Sequence, residues 1–70
     1  MYIILDFEGH EILSSFVAKT ARTEHQAWLA YAHYLLAIDP ALRKDFPTKE
    51  ALAKEAKTWE SLELINPTEI

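Results

Sequence analysis

Apolar positions fill two runs near the start of the chain, Tyr2–Phe7 and Ile12–Ala18, and the only glycine, Gly9, stands between them. Short runs rich in Ile, Val, Leu and aromatic residues on either side of a glycine predict the two strands of a β-hairpin. A two-residue loop at Gly9-His10 sets Phe7 opposite Ile12, Leu5 opposite Ser14 and Ile3 opposite Phe16. That register gathers Ile3, Leu5, Phe7, Ile12, Phe16 and Ala18 on one face. It also sets Glu8 against Glu11, a like-charge pairing that a four-residue loop relieves without changing the faces. The second face holds Tyr2, Ile4, Leu13 and Val17 beside Asp6, Ser15 and Lys19, too apolar a set for a wholly wet surface.

All ten alanines fall between Ala18 and Ala56, so the rest of the chain reads as helical. Thr23 with Gln26 three residues on is a capping-box pattern, opening a helix over Glu24–Ile38 that must end before Pro40. Asp39-Pro40 then starts a short helical turn through Ala41–Asp45, which Pro47 closes. Thr48 caps a second long helix, Lys49 to about Leu62, with Leu52, Ala56, Trp59 and Leu62 as its apolar stripe and Glu50–Lys54 on its wet side. Leu64-Ile65 reads either as the end of that helix or as a short third strand, and Asn66-Pro67 closes the ordered part. The expected fold class is α+β: an N-terminal β-hairpin packed on two long helices joined by a short helical turn (ββαα). Residues 1–66 form one domain and 67–70 a tail.

The first helix is unusual in having no Asp, Glu, Lys or Arg from Gln26 to Ile38. Trp28, Tyr31, Leu35 and Ile38 make one stripe, and Leu29, Ala32, His33 and Leu36 line another side. A helix apolar nearly all round is buried on more than one side. One reading places it between the hairpin and the second helix; the sharper one has Tyr34, with Ala30 and Ala37, meeting another chain. A two-stranded ribbon also leaves both edges unpaired, to be covered by Leu64-Ile65, a second copy or a partner strand. The expected interface set is therefore Tyr2, Ile4, Leu13, Val17, Trp28, Tyr31 and Tyr34.

Seventy residues, 8.1 kDa and no cysteine exclude both a disulfide framework and a thiolate zinc site. A domain this small buries only about 60% of the surface its unfolded chain exposes, so self-association is a natural source of further stability. Catalytic chemistry is thin. Ser14 and Ser15 sit mid-strand without a glycine-flanked elbow, and His10 lies in a turn between acids. His25 and His33 are about 12 Å apart along a helix axis, too far to share an ion, and a single glycine cannot build a phosphate-binding loop. The expectation is a non-enzymatic protein with no cofactor and no metal.

A net charge of −4 and a pI near 5.2 disfavour attraction to phosphate or anionic lipid. The runner-up reading uses that charge. Asp6, Glu8 and Glu11 near the hairpin tip, with Glu60 and Glu63 (and Glu69 beyond them), form an acidic surface that docks in the cationic groove of a nucleic-acid-handling protein, an inhibitor of mobile-element type. A third reading is weak single-strand nucleic-acid binding through Arg22, Arg43 and Lys44, set against their ordinary role as solvated charges. Gln26–Ile38 spans about 20 Å as a helix, short of a membrane core. Asp6 and Glu8 interrupt the first apolar run, and no basic segment precedes it, so no export signal is read and a cytoplasmic location is expected. The leading expectation is a small protein-binding module, a homodimer, acting by occupying another protein's surface.

Overall fold

Gly9 adopts a φ of 62°, the only positive φ among the described residues. A positive φ at the first of two loop residues is what a II′ hairpin turn needs, and only glycine takes it without strain. A computed structural model describes residues 1–67. From the turn extend β1 (Tyr2–Glu8) and β2 (Glu11–Ala18); then come α1 (Glu24–Ile38), a 3-10 turn (Pro40–Lys44), α2 (Lys49–Ala56) and β3 (Leu62–Ile65). The strands form one antiparallel sheet in the order β2-β1-β3. The α+β class, the N-terminal hairpin and the two helices are as the sequence predicts, and Leu64-Ile65 is strand. The expected 67–70 tail lies, beyond Pro67, outside the described residues, and so does Glu69.

The hairpin register departs from expectation by one residue. Glu8 pairs with Glu11 and Phe7 with Ile12, as the two-residue loop requires, but the ladder then shifts between Asp6 and Phe7. Ile12 and Leu13 together oppose Phe7, a β-bulge, and beyond it Asp6 pairs with Ser14, Leu5 with Ser15, Ile4 with Phe16 and Ile3 with Val17. Strand side chains alternate with a period of two, so one extra residue exchanges the faces. The core face is thus Tyr2, Ile4 and Asp6 with Ser14, Phe16 and Ala18, extended by Leu62 and Leu64 of β3. Ile3, Leu5, Phe7 and Ile12, expected to share a face with Phe16 and Ala18, lie on the other.

Each helix starts where its cap predicts. The Thr23 hydroxyl accepts from the Gln26 amide at 3.1 Å, and the Gln26 side chain reaches back to the Arg22 amide at 2.8 Å, one residue beyond the usual capping box. The Asp39 carboxylate accepts from Ala41 N–H at 3.2 Å, and the Thr48 hydroxyl from Ala51 N–H at 3.1 Å. The second helix stops early, at Ala56 rather than near Leu62. There Thr58 turns both its amide and its hydroxyl onto the Glu55 carbonyl, a local bond that competes with helix propagation. Ending the helix frees Leu62–Ile65 to pair with the second edge of β1. All four stripe residues still reach the core: Leu52 and Ala56 from the helix, Trp59 and Leu62 from the segment after it.

The main core joins Ile4, Trp28, Ala32, Leu36, Leu52, Ala53 and Ala56, and a smaller cluster holds Ala18, Ala21 and Ala27. Six of the ten buried apolar residues are alanines, and Ile4 and Leu52 are the large side chains most fully closed off. Alanine lets the helices approach closely but contributes little apolar area, so this core is thin for its length.

Candidate functional site

Both core clusters draw their strand residues from one face of the sheet: Ile4, Phe16, Leu62 and Leu64 in the first, Ala18 with Tyr2 in the second. Neither takes a side chain from the opposite face. That outer face carries Ile3, Leu5 and Phe7 of β1, Ile12, Leu13 and Val17 of β2, and Ile65 of β3, interrupted by Ser15 and Glu63. Ile12 and Leu13 are each 57% exposed and Val17 41%. The bulge creates part of this patch by setting two neighbouring large apolar side chains side by side where alternation would have turned one inward. With about 3.3 Å per residue and 4.8 Å between strands, the face measures roughly 23 by 14 Å.

A second surface runs along the free edge of β2. Phe16 to Thr20 form one wall of a groove of about 590 Å³, and Leu29, Ala30, His33, Tyr34 and Ala37 of α1 form the other, with Lys49 at its margin. Two of the lining residues, Phe16 and Tyr34, are aromatic and belong to a ring cluster with Tyr31 and Trp28. Phe16 lies 5.4 Å from Tyr31 and 5.1 Å from Tyr34 between ring centroids, and Trp28 and Tyr31 meet edge-on at 6.2 Å. Burial holds the Tyr31 hydroxyl above its ordinary pKa of 10.0, helped by the nearby Asp6 carboxylate and by Tyr34.

The expected interface residues therefore divide. Leu13 and Val17 stand on the outer face, and Tyr34, 43% exposed, lines the groove with Ala30 and Ala37. Tyr31 is half-buried and lines a separate, narrower cleft with Asp6 and Ser14. Ile4 and Trp28 are corrections. Ile4 is 1% exposed and Trp28 is buried against it, because the bulge and the central position of α1 turn both into the core. Tyr2 is a correction of the same kind, half-buried against the alanine cluster.

The acidic set is partly assembled. β3 runs antiparallel to β1, and the Phe7 amide donates to the Ser61 carbonyl at 2.8 Å, which brings the Glu60–Ser61 turn to the hairpin-tip end. Glu8, Glu11 and Glu60 are exposed there, with Glu63 facing outward opposite Leu5. Asp6 departs from the set, half-buried on the helix side. The basic set does not assemble. Arg22 precedes α1 and Arg43-Lys44 follow it, about 22 Å apart along a fifteen-residue helix. Compared with protein-family models, curated proteins and solved structures, the chain matches none of them.

Catalytic groups do not converge at either surface. Ser14 lines a narrow cleft of about 150 Å³ with its cross-strand neighbour Asp6 and with Tyr31 and Tyr34, and no histidine lines it to complete an activated nucleophile. Among the described residues no group of three or more His, Cys, Asp or Glu is placed to hold a metal ion, and no helix is long and apolar enough to cross a membrane. Sequence reasoning missed Ile3, Leu5, Phe7, Ile12 and Ile65 as members of the outer face, where Ile12 is exposed and the other four are half-buried. One signal was available: Ile12-Leu13 puts two large apolar residues in succession, which breaks alternation at the bulge.

Proposed function

We propose that the protein is a non-enzymatic protein-binding module that self-associates, two copies packing their uncovered sheet faces against each other. The observation that carries this is the outer face, seven large apolar side chains broken only by Ser15 and Glu63. Its footprint, roughly 300 Å² in projection, lies at the lower end of the size of the largest apolar patch on a soluble monomer, a patch that is often functional. A second copy suits the face because it offers no charge pattern for a different partner, and a two-fold pairing sets each patch on its own like. Antiparallel stacking about 10 Å apart also sends the two Glu8–Glu11–Glu60 ends to opposite sides, so the net charge of −4 on each copy weighs little at the contact. The small area favours a micromolar dimer over an obligate one.

Sedimentation equilibrium across three decades of concentration tests this. The wild-type chain is expected to pass from monomer to dimer, and L13E/V17E to remain monomeric with an unchanged circular dichroism spectrum. A wild-type chain monomeric throughout contradicts the reading.

The gathering of Glu60 with Glu8 and Glu11 supports a second reading, an acidic inhibitor that docks by this end in a cationic groove of a nucleic-acid-handling protein. Its signature is a partner on-rate that falls with salt and falls again on reversing Glu8 and Glu11. An on-rate indifferent to both removes it. The separation of Arg22 from Arg43-Lys44 leaves the nucleic-acid reading without a common patch.

A further inference from the structure

The free edge of β2 and the groove beside it share only Val17 with the face of the sheet-face dimer. We propose that this groove takes an extended acidic peptide, which adds to β2 as a fourth strand and lays alternate side chains between β2 and α1. This names a partner class for a surface other than the self-association face, and the two proposals fail separately.

Three features carry it. First, β2 is an edge strand, so half of its backbone N–H and C=O groups point away from β1. Between the bulge and Lys19 it has none of the charges or prolines that keep sheet edges from pairing. Second, a helix wall stands beside that edge. Leu29 and Tyr34 alternate along it with Ala30 and Ala37, and the two alanines leave space beside Phe16. Strand addition draws affinity from the edge and specificity from such side-chain pockets. The uncharged strand edge Ser14–Ala18, which ends at the Lys19-Thr20 turn, is about 13 Å long and matches four or five extended residues.

Third, the groove is electrostatically opposite to the rest of the chain. The protein has eleven acids against seven Lys and Arg, yet Lys19 and Lys49 line this groove with His33, and no carboxylate lines it. A peptide with Glu or Asp at alternate positions meets those ammonium groups while its apolar positions face Phe16 and the alanines. A basic peptide meets repulsion.

The test is a nuclear magnetic resonance titration of the wild-type chain with N-acetylated hexapeptides of alternating sequence, EVEVEV, KVKVKV and the proline-interrupted EVPVEV. The expected result is saturable shifts at Phe16–Thr20 and along Leu29–Ala37 with EVEVEV. KVKVKV is expected to bind at least about tenfold more weakly, and EVPVEV likewise, since proline removes a ladder donor. Lys19 and Lys49 are exposed, so K19E/K49E keeps the fold and is expected to reverse the preference between the acidic and basic peptides. Equal binding of the two charged peptides, shifts confined to the outer face, or no shift at millimolar EVEVEV overturns the proposal. Because the hexapeptides and the dimer share no residue but Val17, a monomeric chain that still takes EVEVEV refutes self-association alone.

Discussion

Ile4 and Leu13 lie on opposite faces of one hairpin. Ile4 is closed off at 1% exposure among Trp28, Leu36 and Leu52, whereas Leu13 stands 57% exposed on a face that neither core cluster reaches. The strands are almost equally apolar on both sides, so hydrophobicity alone does not say which side is inside. The choice falls to the bulge at Ile12-Leu13 and to the alanine-rich helices that close over one face. A thin core and a large uncovered face then belong together: apolar area withheld from the interior remains available for association.

Substitutions that strike one face at a time are the strongest way to break this contrast. Leu52→Ala, beneath Ile4, is expected to cost about 2–5 kcal/mol of unfolding free energy, measured by urea titration. Leu13→Ser, assayed at a concentration low enough to keep the chain monomeric, is expected to cost under about 0.5 kcal/mol. Comparable losses at the two positions would mean that the outer face is packed in the monomer. A smaller effect is expected at the turn. Gly9→Ala forces a side chain into positive φ and should cost about 1 kcal/mol.

Deleting Leu13 sharpens the account of register. The chain then runs from Ile12 directly to Ser14, the ladder becomes regular, and the Ile4–Phe16 pairing is expected to persist in nuclear Overhauser contacts, with only a small change in stability. Loss of that pairing would mean that the bulge does more than absorb one residue. The subtlest effect concerns pH. Burial raises the Tyr31 pKa above 10.0, so the folded chain holds its phenolic proton more tightly than the unfolded chain. The stability that follows is present below pH 10 and is lost as pH rises through the folded value. Y31F should flatten that alkaline decline in thermal melts while leaving stability near neutrality almost unchanged.

Caps, prolines and the single glycine made most of the fold legible in the sequence. Thr23, Asp39 and Thr48 begin their elements where they stand, and Gly9 makes the turn. Two features were hidden because they depend on distant partners. Leu62–Ile65 carries the helical stripe's last residue, yet the open edge of β1 recruits it as a strand once Thr58 ends α2. The bulge was masked by β1 itself, whose Tyr-Ile-Ile-Leu run suits either face and so fixes no register. For the candidate site, the charge-free helix already pointed to Tyr34, Ala30 and Ala37 as unsatisfied, and they do line the groove. The basic rim of that groove was not legible, because Lys19, His33 and Lys49 come from three separate elements that only the folded chain brings together.

The proposed dimer sets the outer sheet face of one copy against that of another. Isotope-filtered nuclear Overhauser spectra of a mixture of labelled and unlabelled chains at millimolar concentration test it most directly. A dimer of this kind gives intermolecular cross-peaks among the methyl groups of Ile12, Leu13, Val17 and Ile65, and none from Ile4. Absence of any intermolecular contact, or contacts arising only from Tyr34 and Ala37 in the groove, would contradict it.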